Sequence, residues 1–277
     1  MRCPKISIFV FVVSAFCSLG CGDGDGGGDA GAGGQGGSDL VPASLYVFEF
    51  DPIPLESPIE GAAICQVGAD NCVRSDRLGW ATIYFPAGQE IAFTVEKEGY
   101  GPWVYCNVTD EYFPEGYRAP LYTHEYLTSI AEDLQTPYPW KGGIVGLVRW
   151  FSPNPGVKFI PVGPTAEAVG DPFYFDAATK QYSLELEATT YYFGLPDAPL
   201  AEGGFTEVVP GVQQFEFVGT AGDCPHASWG WPGDAPNRLR VLVMDGYTTY
   251  GSVRCDEEIP GRSLDESSAS TDSDARE

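Results

Sequence analysis

Glycine and proline punctuate this chain so densely that only short elements can form between them. The 277 residues hold 35 Gly and 23 Pro, so uninterrupted runs have the length of strands rather than of long helices. The runs themselves are aromatic and β-branched, the residue types that suit a pleated, half-buried surface. Leu45–Phe50, Trp80–Phe85, Glu90–Val95, Tyr182–Ala188, Gln214–Val218 and Arg238–Val243 all read as strands. Tyr182-Ser183-Leu184-Glu185-Leu186-Glu187-Ala188 alternates strictly, as one buried and one wet face require. One helix is expected over His124–Leu134, where Tyr126, Leu127, Ile130 and Leu134 recur at helical spacing before Pro137 and Pro139 end it.

The segments on either side of that helix look alike. Gly79 to Phe93 and Gly204 to Phe217 each read as a glycine, an aromatic-led strand, a Pro-Gly turn and a second strand. Each is followed by a Gly-Tyr pair (Gly99-Tyr100, Gly246-Tyr247) and a later cysteine (Cys106, Cys255). Proline presets φ for a turn and glycine supplies the positive φ that completes it, which is hairpin chemistry used twice. The expected fold is all-β: two tandem antiparallel β-sandwich modules at 41–112 and 142–258, joined by a connector over 113–141 that holds the short helix.

The first copy, Gly79-Trp80-Ala81-Thr82-Ile83-Tyr84-Phe85-Pro86-Ala87-Gly88, with its phenylalanine-bearing second strand and Gly99-Tyr100, resembles carboxypeptidase regulatory-like (transthyretin-type) domains. The resemblance covers the first module well. It covers the second less well, because insertions at Pro164–Asp171, Leu195–Gly203 and Pro225–Asn237 interrupt the pattern. It implies sandwiches of Ig-like or prealbumin-like type that act as accessory or adhesive modules and carry no catalytic residues. Multi-module versions occur on lipoproteins of Gram-negative surfaces.

The N-terminus gives an address. Arg2 and Lys5 flank the start of the apolar run Ile6–Phe16, and Ser18-Leu19-Gly20 leads into Cys21, so residues 1–20 read as a secretory signal. Its end resembles the lipobox of bacterial lipoproteins, in which the signal is cut before the cysteine and the thiol takes lipid. Lipidation at Cys21 is therefore expected, and Gly22 in place of the Asp that retains enteric lipoproteins implies outer-membrane export. Residues 21–40 form a Gly/Asp-rich tether that cannot bury enough surface to order itself; about 20 such residues reach roughly 25 Å. Asp23, Asp25 and Asp29 lack the spacing and closing Glu of an EF-hand, so no metal is expected there.

Removing Arg2 and Lys5 with the signal takes the formal charge from −24 to −26. Such a chain repels nucleic acid and anionic lipid alike, leaving the covalent lipid as the membrane contact. The tail, 259–277, continues the acidic, serine-rich composition that begins at Asp256 and reads as a disordered end.

Cysteine usage fits an oxidising compartment. Cys224 and Cys255 stand alone in the second module and are expected to pair, while Cys65 and Cys72 would staple a hairpin. Cys106 is then odd: it is a buried thiol, or it displaces one of the other two. Zinc is disfavoured because no C-x-x-C exists and only His124 and His226 are available. His124-Glu125-Tyr126-Leu127-Thr128 begins like H-E-x-x-H but lacks the second ligand, and no nucleophile elbow or phosphate loop occurs. No catalytic residue and no cofactor is expected.

One cluster offers a ligand site. His226, Trp229, Trp231 and Asp234 lie in a Gly/Pro-rich insertion, where exposed indoles could stack on sugars or peptides. The plainer account has both tryptophans covering an open end of the second module. The sequence thus points first to a lipid-anchored, non-catalytic surface protein with a structural, adhesive or ligand-binding role. Carbohydrate or peptide binding through Trp229 and Trp231 comes second, and a hydrolase with an acidic site third. Partners would be the membrane through lipid, and a glycan, peptide or surface protein.

Overall fold

The computed structural model describes residues 40–50, 57–109, 117–150, 158–164, 166, 169–176, 181–184, 191–192, 199–219, 224 and 229–254. The signal, Cys21, the tether up to residue 39, His226, Cys255 and the tail lie outside these residues. The first half comprises β1 (Leu40–Glu49), β2 (Ser57–Pro58), β3 (Ala63–Gln66), β4 (Cys72–Arg74), β5 (Trp80–Pro86), β6 (Glu90–Glu96), β7 (Trp103–Val108), β8 (Tyr117–Leu121) and α1 (His124–Asp133). The second comprises β9 (Gly143–Trp150), β10 (Lys158–Val162), β11 (Pro172–Asp176), β12 (Gln181–Ser183), β13 (Tyr191–Tyr192), β14 (Pro199–Val208), β15 (Gly211–Val218), β16 (Trp231–Pro232), β17 (Arg238–Val243) and β18 (Thr248–Arg254). Among the described residues the protein is all-β with one short helix, in three sheets.

The halves meet in the middle of a single sheet. Ten strands run in the order β12-β11-β14-β9-β18-β7-β6-β3-β4, with β13 beside β14. The seam is the parallel pair β18–β7, which matches only Thr248 to Trp103 and Thr249 to Val104. Period-two alternation decides which small sheet each side chain of this large sheet meets. Ile91, Phe93, Trp103, Tyr105, Ile144, Val148, Phe173 and Tyr250 join the core under β1, β5, β8 and α1. Their alternates Ala92, Cys106, Val145, Leu147, Tyr174 and Val253 join a second core under β10, β15 and β17. Both faces of the large sheet are therefore buried at its centre, which is why β7 and β18 read as nearly continuous apolar or small residues rather than alternating.

The two Pro-Gly turns are not hairpins. β5 pairs with β1 while β6 pairs with β3 and β7, so Pro86-Ala87-Gly88 carries the chain from one sheet to the other. Pro210-Gly211 does the same between β14 in the large sheet and β15 in the sheet β10-β15-β17-β16. The reason is edge occupancy: β6, β14 and β15 each have both edges filled by other strands, which leaves none for the strand across the turn.

Three further differences concern boundaries. The stretch Tyr117–Leu121, placed by sequence in the connector, is a strand that pairs in parallel with β1, from Leu45–Tyr117 to Glu49–Leu121. Parallel pairs also join β18 to β9 and β7, so the sheets are mixed rather than antiparallel throughout. The alternating run from Tyr182 is a strand only as far as Ser183 and bends at Leu184; Glu185–Ala188 lie outside the described residues. The helix forms where expected. Thr123 caps it by accepting from the Tyr126 N–H at 3.2 Å, and Leu127, Ile130 and Ala131 make its buried stripe.

Candidate functional site: a charged cleft at one pole

β1 runs from Leu40 to Glu49 and fixes two poles. At its far end Tyr100 Oη donates to Glu49 Oε2 (2.5 Å), the Gly101 N–H donates to the Tyr122 carbonyl, and Tyr100 bridges Thr123 at the start of α1. The 97–102 turn, the start of the helix and the end of β1 thus gather at the pole opposite Leu40. Gly99, at φ +90°, makes that tight turn possible. Here an open cleft of about 570 Å³ lies across β3, β4 and β6. Loops held by a rigid sheet are where binding residues tend to sit.

The floor is small and the walls are charged. Ala63 is matched with Arg74 on one side and with Glu96 on the other, so the three form one cross-strand row. Arg74 Nη1 donates to the Gly61 carbonyl at 2.9 Å, and Lys97 Nζ donates to the adjacent Glu60 carbonyl at 2.7 Å. Consecutive peptide carbonyls therefore draw two cations together. Glu96 Oε1 accepts from Tyr247 Oη at 2.6 Å, and that phenol is pushed up to about 12 by burial and by this carboxylate. Burial and Glu49 push Tyr100 to about 12 in the same way. His124 Nδ1 lies 2.5 Å from Tyr138 Oη at the rim. These pairings hold the walls in place.

The residues singled out by sequence lie elsewhere. Trp229 and Trp231 are 5% and 7% exposed, so neither offers a stacking face for a sugar or peptide. They plug the sheet where β7 and β18 diverge beyond their two matched positions. The Ser252 N–H donates to the Trp229 carbonyl, the Gly230 N–H donates to the Cys106 carbonyl, and Trp231 Nε1 reaches the carbonyls of Ile91 (2.9 Å) and Asn107 (3.0 Å). The segment acts as a short substitute strand between the halves. Asp234 is exposed but committed: it accepts from Arg238 (3.2 Å) and Gln214 (2.7 Å), which hold its carboxyl below the usual range. His226 lies outside the described residues.

Cys65 and Cys72 are matched across β3 and β4 and form a disulfide. Cys224 is disulfide-bonded, and Cys255, its expected partner, lies outside the described residues. Cys106 is the buried thiol of the two alternatives, with the Leu242 N–H 3.1 Å from its sulfur, and burial pushes its pKa up to about 12.

A second void, of about 10 Å³, lies beneath α1 beside Glu202, which is buried and accepts from Tyr182 Oη at 2.5 Å. It has room for about one water and no ligand. Arg74, Lys97 and Glu96 were missed as a site because strand register brings them together. The one local signal, Gly99-Tyr100, marks the internal repeat in the sequence and the cleft's turn in the fold.

No family model matches the chain, and no curated protein is similar to it in sequence. Among solved structures, the Bacillus anthracis TIE protein aligns at TM-score 0.21 and 9% identity, over 77% of this chain and 34% of that one. BcpA, the major pilin subunit of Bacillus cereus, aligns at 0.21 and 9%, over 78% and 70%. A leucine-rich repeat protein from Bacteroides thetaiotaomicron aligns at 0.18 and 7%, over 78% and 26%. The chain thus spans about a third of the TIE protein and about a quarter of the repeat protein. At these scores the likenesses define neither fold nor role, and the architecture above rests on the strand pairings themselves.

Proposed function

We propose that this is a lipid-anchored, non-catalytic envelope protein that holds a binding cleft away from the membrane. The supporting observation is polarity. The described fold begins at Leu40, where the expected tether ends, and the cleft lies at the opposite end of β1. Ten strand residues at roughly 3.3 Å each place the two poles about 30 Å apart. The two facing sheets of the first half, β1/β5/β8 over β3/β4/β6/β7, also suit the carboxypeptidase regulatory-like resemblance and its accessory role. Tyrosines engaged with Glu49, Glu96 and His124 favour a structural or binding use of these groups over a catalytic one.

Intact mass of the protein extracted from membranes tests the anchor. Lipid mass on Cys21, with loss of membrane association in Cys21→Ser, is the expected result. A chain recovered without lipid, or membrane-bound regardless of Cys21, overturns it.

A further inference from the structure

The cleft at the distal pole has a chemistry that selects its occupant. In a chain with a formal charge of −24, cations are scarce, and most would be drawn to a carboxylate. Arg238 and Arg240 follow that rule, paired with Glu216 and Glu90. Arg74 and Lys97 do not: among the described residues neither has a carboxylate partner, and both are oriented instead by adjacent peptide carbonyls. A guanidinium that spends one of its five N–H groups on a carbonyl, next to an ammonium that spends one of three, keeps donors for an incoming anion. Gly61, at φ +74°, sets the turn that presents these carbonyls.

The β6 side of the cleft, from which Lys97 reaches across toward Glu60 and Gly61, carries the opposite sign. Glu98 is exposed and makes no hydrogen bond or ion pair among the described residues, and Glu96 spends one oxygen on Tyr247. Arg74 and Glu96 are separated by Ala63 alone, two strand spacings or roughly 10 Å. An extended peptide advances about 3.3–3.6 Å per residue, so about three residues bridge that distance.

We propose that the cleft binds a short zwitterionic peptide, its carboxylate between Arg74 and Lys97 and its ammonium group against Glu98 and Glu96. This rests on the binding role proposed above and names its ligand class. Polyanions are disfavoured by the flanking glutamates and polycations by the paired cations, so the two signs together set the specificity.

Equilibrium dialysis of radiolabelled tri-alanine against the full chain in detergent tests it. Saturable binding is expected, and it should vanish for N-acetyl-tri-alanine amide, which has the same backbone and no charges. Arg74→Ala with Lys97→Ala should weaken it about tenfold, the sum of two exposed charge contacts, and Glu98→Lys should weaken it too while circular dichroism stays unchanged. Equal uptake of the blocked peptide, or no saturable uptake by the unaltered protein, overturns the proposal whatever the variants do. Cys21→Ser should leave uptake intact, so loss of the anchor and loss of the site are separate outcomes.

Discussion

The first and second halves solve the same problem, carrying the chain from one sheet to the other, with the same residue types and different supports. Each uses proline, then a glycine at positive φ: Gly88 at +67° and Gly211 at +131°. The first crossing is pinned from outside by Thr109, just past β7. Its hydroxyl accepts from the Gln89 N–H (2.9 Å) and donates to the Pro86 carbonyl (2.5 Å), while its backbone meets Gly88 and Gln89. The second is pinned from within its own strand, where Gln213 Nε2 donates to the Val209 carbonyl at 2.8 Å. A sequence repeat can thus preserve a backbone path without preserving what secures it.

The cores differ more than the crossings. The core around the first half is phenolic: Tyr105, Tyr117 and Tyr122 are fully buried with Tyr250 from β18, and Trp103 stacks on Tyr105, Tyr122 and Tyr250 at 5.7, 5.0 and 4.7 Å. The second core has Tyr174 among phenylalanines and aliphatics. Burial raises all four phenols well above 10.0. In the unfolded chain they ionise near pH 10 while the folded chain holds their protons, so stability is complete below about pH 10 and falls as the pH rises further. Each phenol costs roughly 1 kcal/mol at pH 11, on the order of 5 kcal/mol for the four. Cys106, pushed up to about 12 from an ordinary value of 9.0, adds a loss of the same sign, smaller than that of the four phenols together, which begins about one pH unit earlier. Denaturant titrations from pH 8 to 11 should show this decline; a midpoint that stays level through pH 11 contradicts the buried phenols.

The seam joins the two cores, and Trp231 tests whether they unfold together. Trp231→Ala removes a buried indole and leaves the Ile91 and Asn107 carbonyls without that donor. A loss of about 3–5 kcal/mol is expected. Because the segment bridges β7 and β18, one cooperative transition should move to lower denaturant. Two resolved transitions, only one of them shifted, would show that the halves are independent.

Much of this was readable from the chain, and the limit is physical. Alternation and punctuation placed β5, β6, β17 and α1 to within a residue or so, because those signals are local. Face assignment also follows from alternation. Partner choice does not: Trp80–Phe85 has the same pattern whether it pairs across its own turn or with β1. Tyr117–Leu121 carries a proline, Pro120, of a kind that sequence patterns place at strand edges; among the described residues that strand pairs with β1, with Pro120 opposite Phe48. Trp229 and Trp231 carried the composition of an exposed loop and the position of a plug, and only register separates the two.

The Cys65–Cys72 bridge gives the next comparison. It closes a short loop at the edge of the first half, where Asn71 Nδ2 also caps the Tyr84 carbonyl of β5 at 2.9 Å. Replacing both cysteines by serine should cost about 2.5 kcal/mol by loop-closure entropy for roughly eight residues. Calorimetry of the serine pair should show a lower Tm, and an unchanged Tm would mean that the hairpin is held by its hydrogen bonds alone.

The smallest effect bears most directly on the two crossings. Thr109→Val keeps the side-chain shape and removes the hydroxyl, so the Gln89 N–H and Pro86 carbonyl lose a partner at a buried position. Gln213→Leu does the equivalent at the second crossing, orphaning the Val209 carbonyl. An unsatisfied group costs about 1–3 kcal/mol when buried and much less when water can reach it. Thr109 and Gln213 are both buried, at 1% and 2% exposure, but the acceptor at the second crossing belongs to Val209, a residue 47% exposed and so closer to water. Thr109→Val should therefore cost about 1–2 kcal/mol and Gln213→Leu less than about 1. Denaturant midpoints of the two variants decide it: an equal or reversed order would mean that the second crossing relies on Gln213 as heavily as the first relies on Thr109, and that the two supports are equivalent after all.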